Sequence, residues 1–179
     1  MSAAGGTPIG AHVLVASDRA ARGERADGAG EALAEALRAL GYATPAPAVT
    51  VAPDDEELLA EQLRRLAADL RLRFIVTTGG TGAGPRDVTP EATRRIIRRE
   101  LPGFGELMRA ESLKKTVFAA GSRAIAGVVG EVLVVNLPGA PKGALECLEA
   151  IARPARHVLD LIAGAVRDCG PVREGVEGG

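Results

Sequence analysis

The sequence predicts an α/β fold with a mostly parallel sheet, helices on both faces and a small hairpin. Short apolar runs alternate with amphipathic runs of helical period, and the connections between them are short. The 179 residues are enough to bury a core, so we expect a single domain at residues 9–168. Residues 1–8 and 170–179 are small, polar or glycine-rich, and we expect flexible termini there.

The composition is that of a globular protein, with 46 % hydrophobic and 25 % charged residues. Aromatic residues make up only 2 % and the net charge is −1. Both values disfavour a nucleic-acid partner, because such binding relies on base stacking or on phosphate neutralisation. No apolar run approaches the ~20 residues that span a bilayer, so we expect no membrane partner and a cytoplasmic location.

In the first half of the chain, buried strands and amphipathic helices alternate. The predicted elements are a strand at 9–17, a helix at 32–40, a strand at 48–51 and a helix at 56–72. Gly41 follows the first helix in the position where glycine commonly ends helices. The second helix carries an apolar stripe with a spacing of three or four residues, formed by Leu59, Leu63, Leu66 and Leu70.

The second half continues the alternation. We expect Thr89 to cap a helix that starts at Pro90 and runs to about Glu100. Two apolar runs at 124–129 and 132–137, separated by two residues, predict the hairpin. The remaining predicted elements are a strand at 74–78 and helices at 104–115, 144–151 and 154–166.

A glycine-rich stretch connects the strand at 74–78 to the helix at Pro90, and we call residues 78–87 the glycine loop. Backbone N–H groups converge in such a turn and bind anions. The loop has no Gly-Lys-Ser/Thr ending and no Gly-x-Gly-x-x-Gly register, which disfavours P-loop NTPase and NAD sites. A tight turn without a ligand is the alternative, but one turn needs less glycine, so we expect a phosphate or nucleotide site. The expected contacts are Thr78, Gly79, Gly80, Thr81 and Gly82.

Four polar clusters are expected to meet at one edge of the sheet. The carboxyl ends of parallel strands share an edge, and open α/β sheets bind their ligands there. The glycine loop and a second loop at 137–143 both follow predicted core strands, and the loops after Ser17 and Val51 should reach the same edge. The polar and loop residues expected there are Ser17, Asp18, Asp54, Asp87, Pro138, Gly139 and Lys142.

The two aspartates each have an alternative role. A carboxylate at Asp87 repels a bound phosphate unless a cation lies between them, which indicates magnesium. Asp87 could instead cap the following helix, but Thr89 is better placed to do so. Asp54 forms a capping-box pattern with Glu57, and the spacing alone favours the cap. Lys142 either meets a phosphate or is exposed to solvent, and its position in the sequence does not separate the two.

Six motifs occur along the chain: Ser17-Asp18-Arg19, Asp27-x-x-Gly30, Thr78-Gly79-Gly80-Thr81-Gly82, Arg86 to Thr93, Leu101 to Glu106, and Asn136-Leu137-Pro138-Gly139-x-Pro141-Lys142. Together they resemble the MoaB/Mog family of molybdenum cofactor biosynthesis, and they occur in the family's order. The resemblance covers about residues 9–168. Ala140 is a departure, because many members have a hydroxyl or amide residue at that position.

The resemblance implies a three-layer Rossmann-like molybdopterin-binding fold that usually forms homotrimers or homohexamers. It implies a molybdopterin adenylyltransferase, which converts ATP and molybdopterin into adenylylated molybdopterin and pyrophosphate with Mg²⁺. The family's functional aspartates fall on Asp54 and Asp87, as catalytic residues and as magnesium ligands. This favours a functional Asp54 over the helix cap. A paralogue that binds molybdopterin without adenylylating it, or an oligomeric scaffold, is the alternative interpretation.

Overall fold

A six-stranded sheet forms the centre of the computed structural model, which describes residues 8–24 and 28–165. The strands are β1 (Ala11–Ala16), β2 (Val49–Ala52), β3 (Phe74–Thr78), β4 (Arg99–Glu100), β5 (Ala126–Val129) and β6 (Val132–Leu137). Their order in the sheet is β2-β1-β3-β6-β5-β4. The strands β2, β1, β3 and β6 run parallel, whereas β5 is antiparallel to both β6 and β4. The mostly parallel sheet and the hairpin are confirmed.

Helices cover both faces of this sheet. They are α1 (Asp18–Ala21), α2 (Gly28–Ala39), α3 (Glu56–Ala68), α4 (Thr89–Arg94), α5 (Pro102–Leu113), α6 (Pro141–Ile162) and a 3₁₀ helix at Val117–Gly121. Helices α2, α5 and α6 pack in one core cluster, and α3 and α4 pack in the other. The predicted three-layer α/β architecture is therefore confirmed. The termini expected to be flexible lie outside the described residues, apart from Pro8.

The central strands bury side chains on both faces. Val13 and Val76 face the cluster that contains α2 and α6, while Leu14 and Ile75 face the cluster that contains α3. Strands buried in this way are continuous apolar runs rather than alternating ones, and this is why the sequence revealed them.

The strand register brings four loops to one edge. Ala16 is paired with Ala52, Val15 with Thr78, and Thr78 with Leu137, so the carboxyl ends of β1, β2, β3 and β6 lie side by side. From β1 the chain crosses to β2 on one side, and β3 lies on the other side. The ends of β1 and β3 therefore border the switch point, where ligands bind in open α/β sheets.

The helix predicted from Pro90 to Glu100 is wrong in its second half. Helix α4 ends at Arg94, and residues 99–100 form the edge strand β4. The N–H groups that flank this strand, at Arg98 and Leu101, donate to the carbonyls of Val128 and Ala126. Pairing with β5 thus replaces the last helical turns, which shows tertiary contacts overriding local propensity.

The break predicted before Pro154 is also wrong, because α6 continues through this proline. Proline removes one helical hydrogen bond and disfavours the helix interior. Ile151, Ala155 and Leu159 nevertheless share one buried stripe across it. Packing of this stripe against the sheet stabilises the helix enough to offset the proline.

The predicted apolar stripe of α3 is confirmed at Leu59 and Leu63, which are fully buried, but wrong at Leu70, which is 86 % exposed. The helix ends at Ala68. The Asp69 carboxylate accepts a hydrogen bond from the N–H of Arg71, and this local turn ends the helix before the stripe is complete.

Candidate functional site

Asp18 and Asp54 connect the loops that follow β1 and β2. The N–H of Asp18 donates to Oδ2 of Asp54 at 2.9 Å, and the N–H of Asp54 donates to Oδ1 of Asp18 at 3.1 Å. These two bonds fix each carboxylate relative to the other residue's backbone. Ser17 caps the short helix α1, its hydroxyl accepting the N–H of Ala20.

Arg86 links the glycine loop to this pair. Its guanidinium donates to both carboxylate oxygens of Asp18, at 2.8 to 3.0 Å. This hydrogen-bonded pair lowers the pKa of Asp18, and the N–H of Asp54 lowers it further. The positive charge of Arg86 is thereby committed to Asp18 in this structure, and Asp18 remains ionised at neutral pH.

Asp54 lies half-buried beside the glycine loop. Burial raises its pKa, and the Asp18 and Asp87 carboxylates add to the rise, whereas the N–H of Asp18 and the charge of Arg86 act in the opposite direction. Its Oδ1 would lie 3.3 Å from a Cβ placed on Gly80. The Asp54 carboxylate therefore faces the glycine loop and not the start of α3.

The capping role considered for Asp54 is wrong, because its neighbour performs it. Asp55 is the N-cap of α3, and its carboxylate accepts the N–H groups of Glu57 and Leu58 at 3.1 and 3.0 Å. The sequence therefore correctly predicted an aspartate cap at the start of α3, but placed it one residue too early. This displacement leaves the Asp54 carboxylate available to the site.

Asp87 lies within the curve of the glycine loop. Its Oδ2 accepts the N–H of Gly84 at 2.8 Å, and its own N–H donates to the Gly84 carbonyl. A Cβ on Gly82 or Gly84 would lie within 3 Å of Oδ2, so the loop curls closely around this carboxylate. Asp87 does not cap α4.

The prediction that Thr89 caps α4 is wrong as well. The N-cap is Val88, which makes no side-chain cap hydrogen bond. Thr89 is instead the first helical residue, and its hydroxyl donates to the Gly79 carbonyl at 2.8 Å. This bond joins the start of the glycine loop to the helix behind it.

The glycines at 79 and 80 allow two close approaches. Gly79 has φ +98°, and a Cβ there would lie 2.3 Å from the Ala16 carbonyl oxygen. Gly80 has φ +62°, and a Cβ there would lie 2.4 Å from the Thr89 hydroxyl. Both positions therefore require glycine, since other residues would be strained and would clash.

The expected phosphate cradle needs one correction. The N–H of Gly79 donates to the Leu137 carbonyl at 3.3 Å, so it is already engaged. The N–H groups of Gly80, Thr81 and Gly82 make no hydrogen bond to the described residues, and these three remain as candidate donors. Thr78 is buried, and its hydroxyl donates to the Pro138 carbonyl at 2.9 Å, which joins the glycine loop to the second loop.

The second loop completes the edge of the site. A Cβ on Gly139 would lie 3.2 Å from the Gly79 Cα, so the two loops are in contact. Lys142 is exposed on the first turn of α6. Ala140, the N-cap of α6, has no side chain able to satisfy the first helical N–H groups.

A cavity of about 510 Å³ opens beside the glycine loop, towards α5 and the 3₁₀ helix. Its walls are mainly apolar, and they include Gly82, Met108, Pro138, Ala140 and Cys147. Phe118, on the rim, is 88 % exposed. A smaller cavity of about 150 Å³ lies between the ends of β1 and β3, bordered by Ser17, Thr78, Gly79 and Gly139.

Comparison with known proteins identifies the family. Residues 12–157 match the family model MoCF_biosynth, described as "Probable molybdopterin binding domain". The chain belongs to this family. A curated relative from Helicobacter pylori strain J99, named molybdopterin adenylyltransferase, is 41 % identical over 152 residues, which are 85 % of this chain and 86 % of the relative. The relative of the same name from Escherichia coli K12 is 40 % identical over 80 % of this chain and 73 % of its own length.

Solved structures of the molybdopterin-binding-domain family have the same fold. The molybdopterin biosynthesis enzyme MoaB from Thermus thermophilus superposes with a TM-score of 0.80 at 44 % identity, covering 87 % of this chain and 97 % of that one. The molybdopterin biosynthesis Mog protein from Mycobacterium ulcerans gives 0.79 at 35 % identity, covering 89 % and 99 %. The expected Rossmann-like molybdopterin-binding fold is thus confirmed.

Arg123 contacts the candidate site but was not predicted from the sequence. It lies after the 3₁₀ helix, in a segment that reads only as a polar break, yet its guanidinium contacts the glycine loop at Gly82 and Asp87. A lone arginine carries no motif, so only the folded chain shows the contact. Asp27, from the second matching motif, lies outside the described residues.

Among residues 8–24 and 28–165, no three or more His, Cys, Asp or Glu side chains are grouped so as to hold a metal ion by themselves. None of the helices in the same part of the chain is long and apolar enough to cross a membrane.

Proposed function

We propose that this protein is a molybdopterin adenylyltransferase, which transfers AMP from ATP to the terminal phosphate of molybdopterin and releases pyrophosphate. The observation that carries the proposal is that Asp54, on the loop after β2, faces the glycine loop, while Asp87 lies within that loop, at the switch point of the sheet. The names of the curated relatives, at about 40 % identity over most of their length, agree with it.

The phosphates of the substrates would bind at the glycine loop. The N–H groups of Gly80, Thr81 and Gly82 are the donors that are not already engaged within the described residues. Backbone N–H groups in a glycine turn bind anions without adding a charge of their own. The first turn of α6, which includes Lys142, lies at the same edge of the sheet. Lys142 supplies positive charge there, and the start of the helix supplies further N–H groups.

Asp54 and Asp87 suit a magnesium ion. Oδ2 of each accepts a backbone N–H, whereas Oδ1 of each accepts no hydrogen bond from the described residues. Magnesium is typically bound by one or two carboxylates together with substrate phosphates and water, which fits a site that offers two. The ion would neutralise the negative charge that the phosphates bring to two carboxylates.

The residues of this chain act by positioning and by charge. A terminal oxygen of the molybdopterin phosphate forms a bond to the α-phosphorus of ATP, and the bond from that phosphorus to pyrophosphate breaks, the electron pair leaving with pyrophosphate. The glycine loop holds the phosphates. Asp54 and Asp87 would hold the magnesium ion, which would supply positive charge beside those phosphates. Such a transfer depends on alignment and charge stabilisation, and it needs no nucleophile from the protein.

Release of pyrophosphate, measured with molybdopterin, ATP and Mg²⁺, tests the proposal. We expect release only when all three are present, and a loss of at least about 100-fold in Asp87→Asn. Asp55→Asn is the matched control, because Asn also caps helices and the Asp55 carboxylate accepts the N–H groups of Glu57 and Leu58 at the start of α3. Wild-type activity in Asp87→Asn would contradict the assigned role of this residue.

The second candidate is a paralogue that binds molybdopterin without adenylylating it. It predicts tight molybdopterin binding by calorimetry and no pyrophosphate release from the wild-type chain. The retention of both aspartates favours the enzyme.

A further alternative is an oligomeric scaffold, which the exposed side chains of Val117 and Phe118 favour. It predicts a stable oligomer whose melting temperature is unchanged by ATP and Mg²⁺. A homotrimer or homohexamer in the cytoplasm is part of the proposal for the enzyme as well, so size measurement alone does not separate the two.

A further inference from the structure

Arg123 joins both ends of the segment 82–87. Its Nε donates to the Gly82 carbonyl at 2.6 Å, and one terminal nitrogen donates to the carbonyl of Asp87. Its backbone N–H donates to the Thr81 carbonyl at 2.9 Å. A residue 36 positions beyond Asp87 in the sequence therefore closes the loop in which the Asp87 carboxylate lies.

The guanidinium itself is held in place from the other side. Its remaining terminal nitrogen donates to Oε1 of Glu91, on the first turn of α4. Although burial alone would raise the pKa of Glu91, the hydrogen bond from Arg123 holds it below its ordinary value, so the pair is ionised. Three nitrogens of one planar group thus have three different partners, a geometry that lysine cannot reproduce.

The backbone around Arg123 is fixed by α5. Arg109 donates to the carbonyl of Ser122 at 3.3 Å and to that of Ala124 at 3.2 Å, which are the residues on either side of Arg123. The arginine at 123 is therefore supported through its backbone as well as through its guanidinium. A support of this kind restricts a loop more than a single exposed contact would.

The direction of the Asp87 carboxylate depends on this segment. Its Oδ2 accepts the N–H of Gly84, and its N–H donates to the carbonyl of the same glycine. These two bonds require the turn between Gly82 and Asp87 to keep its shape, and that segment contains Gly82 and Gly84, which by themselves make it pliable.

We propose that Arg123 is the positioning residue for Asp87, its guanidinium closing the segment 82–87 and thereby fixing the direction of the carboxylate. This inference rests on the proposed adenylyltransferase function in one respect, which is that Asp87 takes part in catalysis. Arg123 contacts loop carbonyls and Glu91, so it acts through Asp87 and is not a catalytic residue. Without it, the substrates would have to order the loop when they bind.

The test compares Arg123→Lys with Arg94→Lys in the full chain. Arg94 also pairs with Glu91, at 3.9 Å, and is the matched control that leaves the loop contacts unchanged. We expect Arg123→Lys to lower kcat by about 10- to 100-fold and to raise the Mg²⁺ concentration needed for half-maximal rate. Arg94→Lys should stay within about twofold of wild type, because surface pairs contribute little. Wild-type kcat and Mg²⁺ dependence in Arg123→Lys would overturn the proposal.

A double variant distinguishes positioning from a general loss of stability. In the Asp87→Asn background, Arg123→Lys should change single-turnover rates by less than about twofold, because its effect passes through Asp87. An equal loss with and without Asp87 would overturn the proposal. Addition of guanidinium ion should restore part of the activity of Arg123→Ala, an effect that a merely destabilised fold would not show.

Millisecond hydrogen exchange at the amides of Gly84 and Asp87 tests the same proposal without an activity measurement. We expect exchange at both to become at least about fivefold faster in Arg123→Lys, while β3 and β6 stay protected. Unchanged exchange would overturn the proposal even if the activity fell. If the wild-type chain released no pyrophosphate, the proposed function would fail, whereas the exchange result would still decide whether Arg123 orders the loop.

Discussion

The N–H of Asp18 donates to the Asp54 carboxylate, while the N–H of Asp54 donates to the Asp18 carboxylate. The two residues differ in their surroundings, however. Arg86 neutralises Asp18 and lowers its pKa, whereas burial raises the pKa of Asp54. Two neighbouring carboxylates therefore have separate roles: Asp18 connects the loops, and Asp54 brings an unneutralised charge to the glycine loop. Groups perturbed in this way are candidates for functional sites.

Asp54→Asn should abolish activity without weakening the fold. A carboxylate whose pKa is raised in the folded state favours folding only when protonated, so its contribution is present below its ordinary value of 3.8 and is lost as the pH rises through the folded value. At pH 7 the ionised Asp54 therefore opposes folding. The amide oxygen of Asn can still accept the N–H of Asp18.

We expect denaturant unfolding at pH 7 to give Asp54→Asn a stability equal to or above that of wild type. The difference should shrink as the pH falls through the raised pKa of Asp54, where the carboxyl group takes up its proton. Pyrophosphate release measured in parallel should be lost. A variant that is clearly less stable than wild type at pH 7 would show that the ionised carboxylate contributes to folding, contrary to this expectation.

Asp55→Ala should lower stability and leave activity unchanged, which is the opposite of the expectation for Asp54→Asn. It removes the N-cap of α3, which costs about 1 kcal/mol of unfolding free energy in typical cases. The Asp55 side chain contacts the N–H groups of Glu57 and Leu58, and kcat should stay at the wild-type value. Thermal unfolding and the pyrophosphate assay on this variant check both parts. A kcat that falls together with stability would place Asp55 in the site.

The sequence placed the cap of α3 at Asp54, one residue too early. Adjacent aspartates at 54 and 55 both fit a helix start, because capping depends on backbone angles that no pattern of letters fixes. The resemblance to the family favoured a functional Asp54 over the cap, which the spacing alone did not. Arg123 had no such help, since its guanidinium contacts the glycine loop only at backbone carbonyls, and any sequence provides carbonyls.

Gly79→Ala should destabilise the fold strongly. Its φ of +98° disfavours any side chain, and a Cβ would lie 2.3 Å from the carbonyl oxygen of Ala16, the last residue of β1. We expect a loss of at least about 2 kcal/mol in the free energy of unfolding, from backbone strain together with the clash.

Gly103→Ala is the control for this glycine. It lies in the first turn of α5, where an added Cβ meets nothing within 4 Å. Alanine there should leave stability unchanged or raise it slightly, because it favours the helix. Equal losses in the two variants, measured by urea unfolding, would mean that the close approach at Gly79 is relieved by local movement.

The fold class was predictable because the central strands are continuous apolar runs, but two boundaries depended on contacts far along the chain. The edge strand β4 exists because β5, about thirty residues later, offers free backbone groups to Arg98 and Leu101. Helix α6 passes through Pro154 because its stripe packs on the sheet. The local sequence favoured a continued helix at 99–100 and a helix break before Pro154, and in both cases the distant contacts determined the structure.

Asn136→Ala should destabilise the protein without altering the loops directly. Asn136 is fully buried on β6, and its amide nitrogen donates to the hydroxyls of Thr77 at 3.1 Å and Thr93 at 2.8 Å. This one side chain therefore ties β6 to β3 and to α4, which carry the two ends of the glycine loop. Removing it leaves a cavity and two buried hydroxyls without their donor, at a cost of about 2–4 kcal/mol.

Asn136→Asp provides the sharper comparison, because it keeps the shape and changes the charge. An ionised carboxylate at this position has no cation among its described contacts, so we expect a larger loss of stability at pH 8 than at pH 5, where protonation relieves the burial of charge. Urea unfolding at both pH values measures it. Equal stability at the two pH values would indicate that the carboxyl stays protonated throughout, and a stability equal to wild type would show that the two threonines do not need the amide donor.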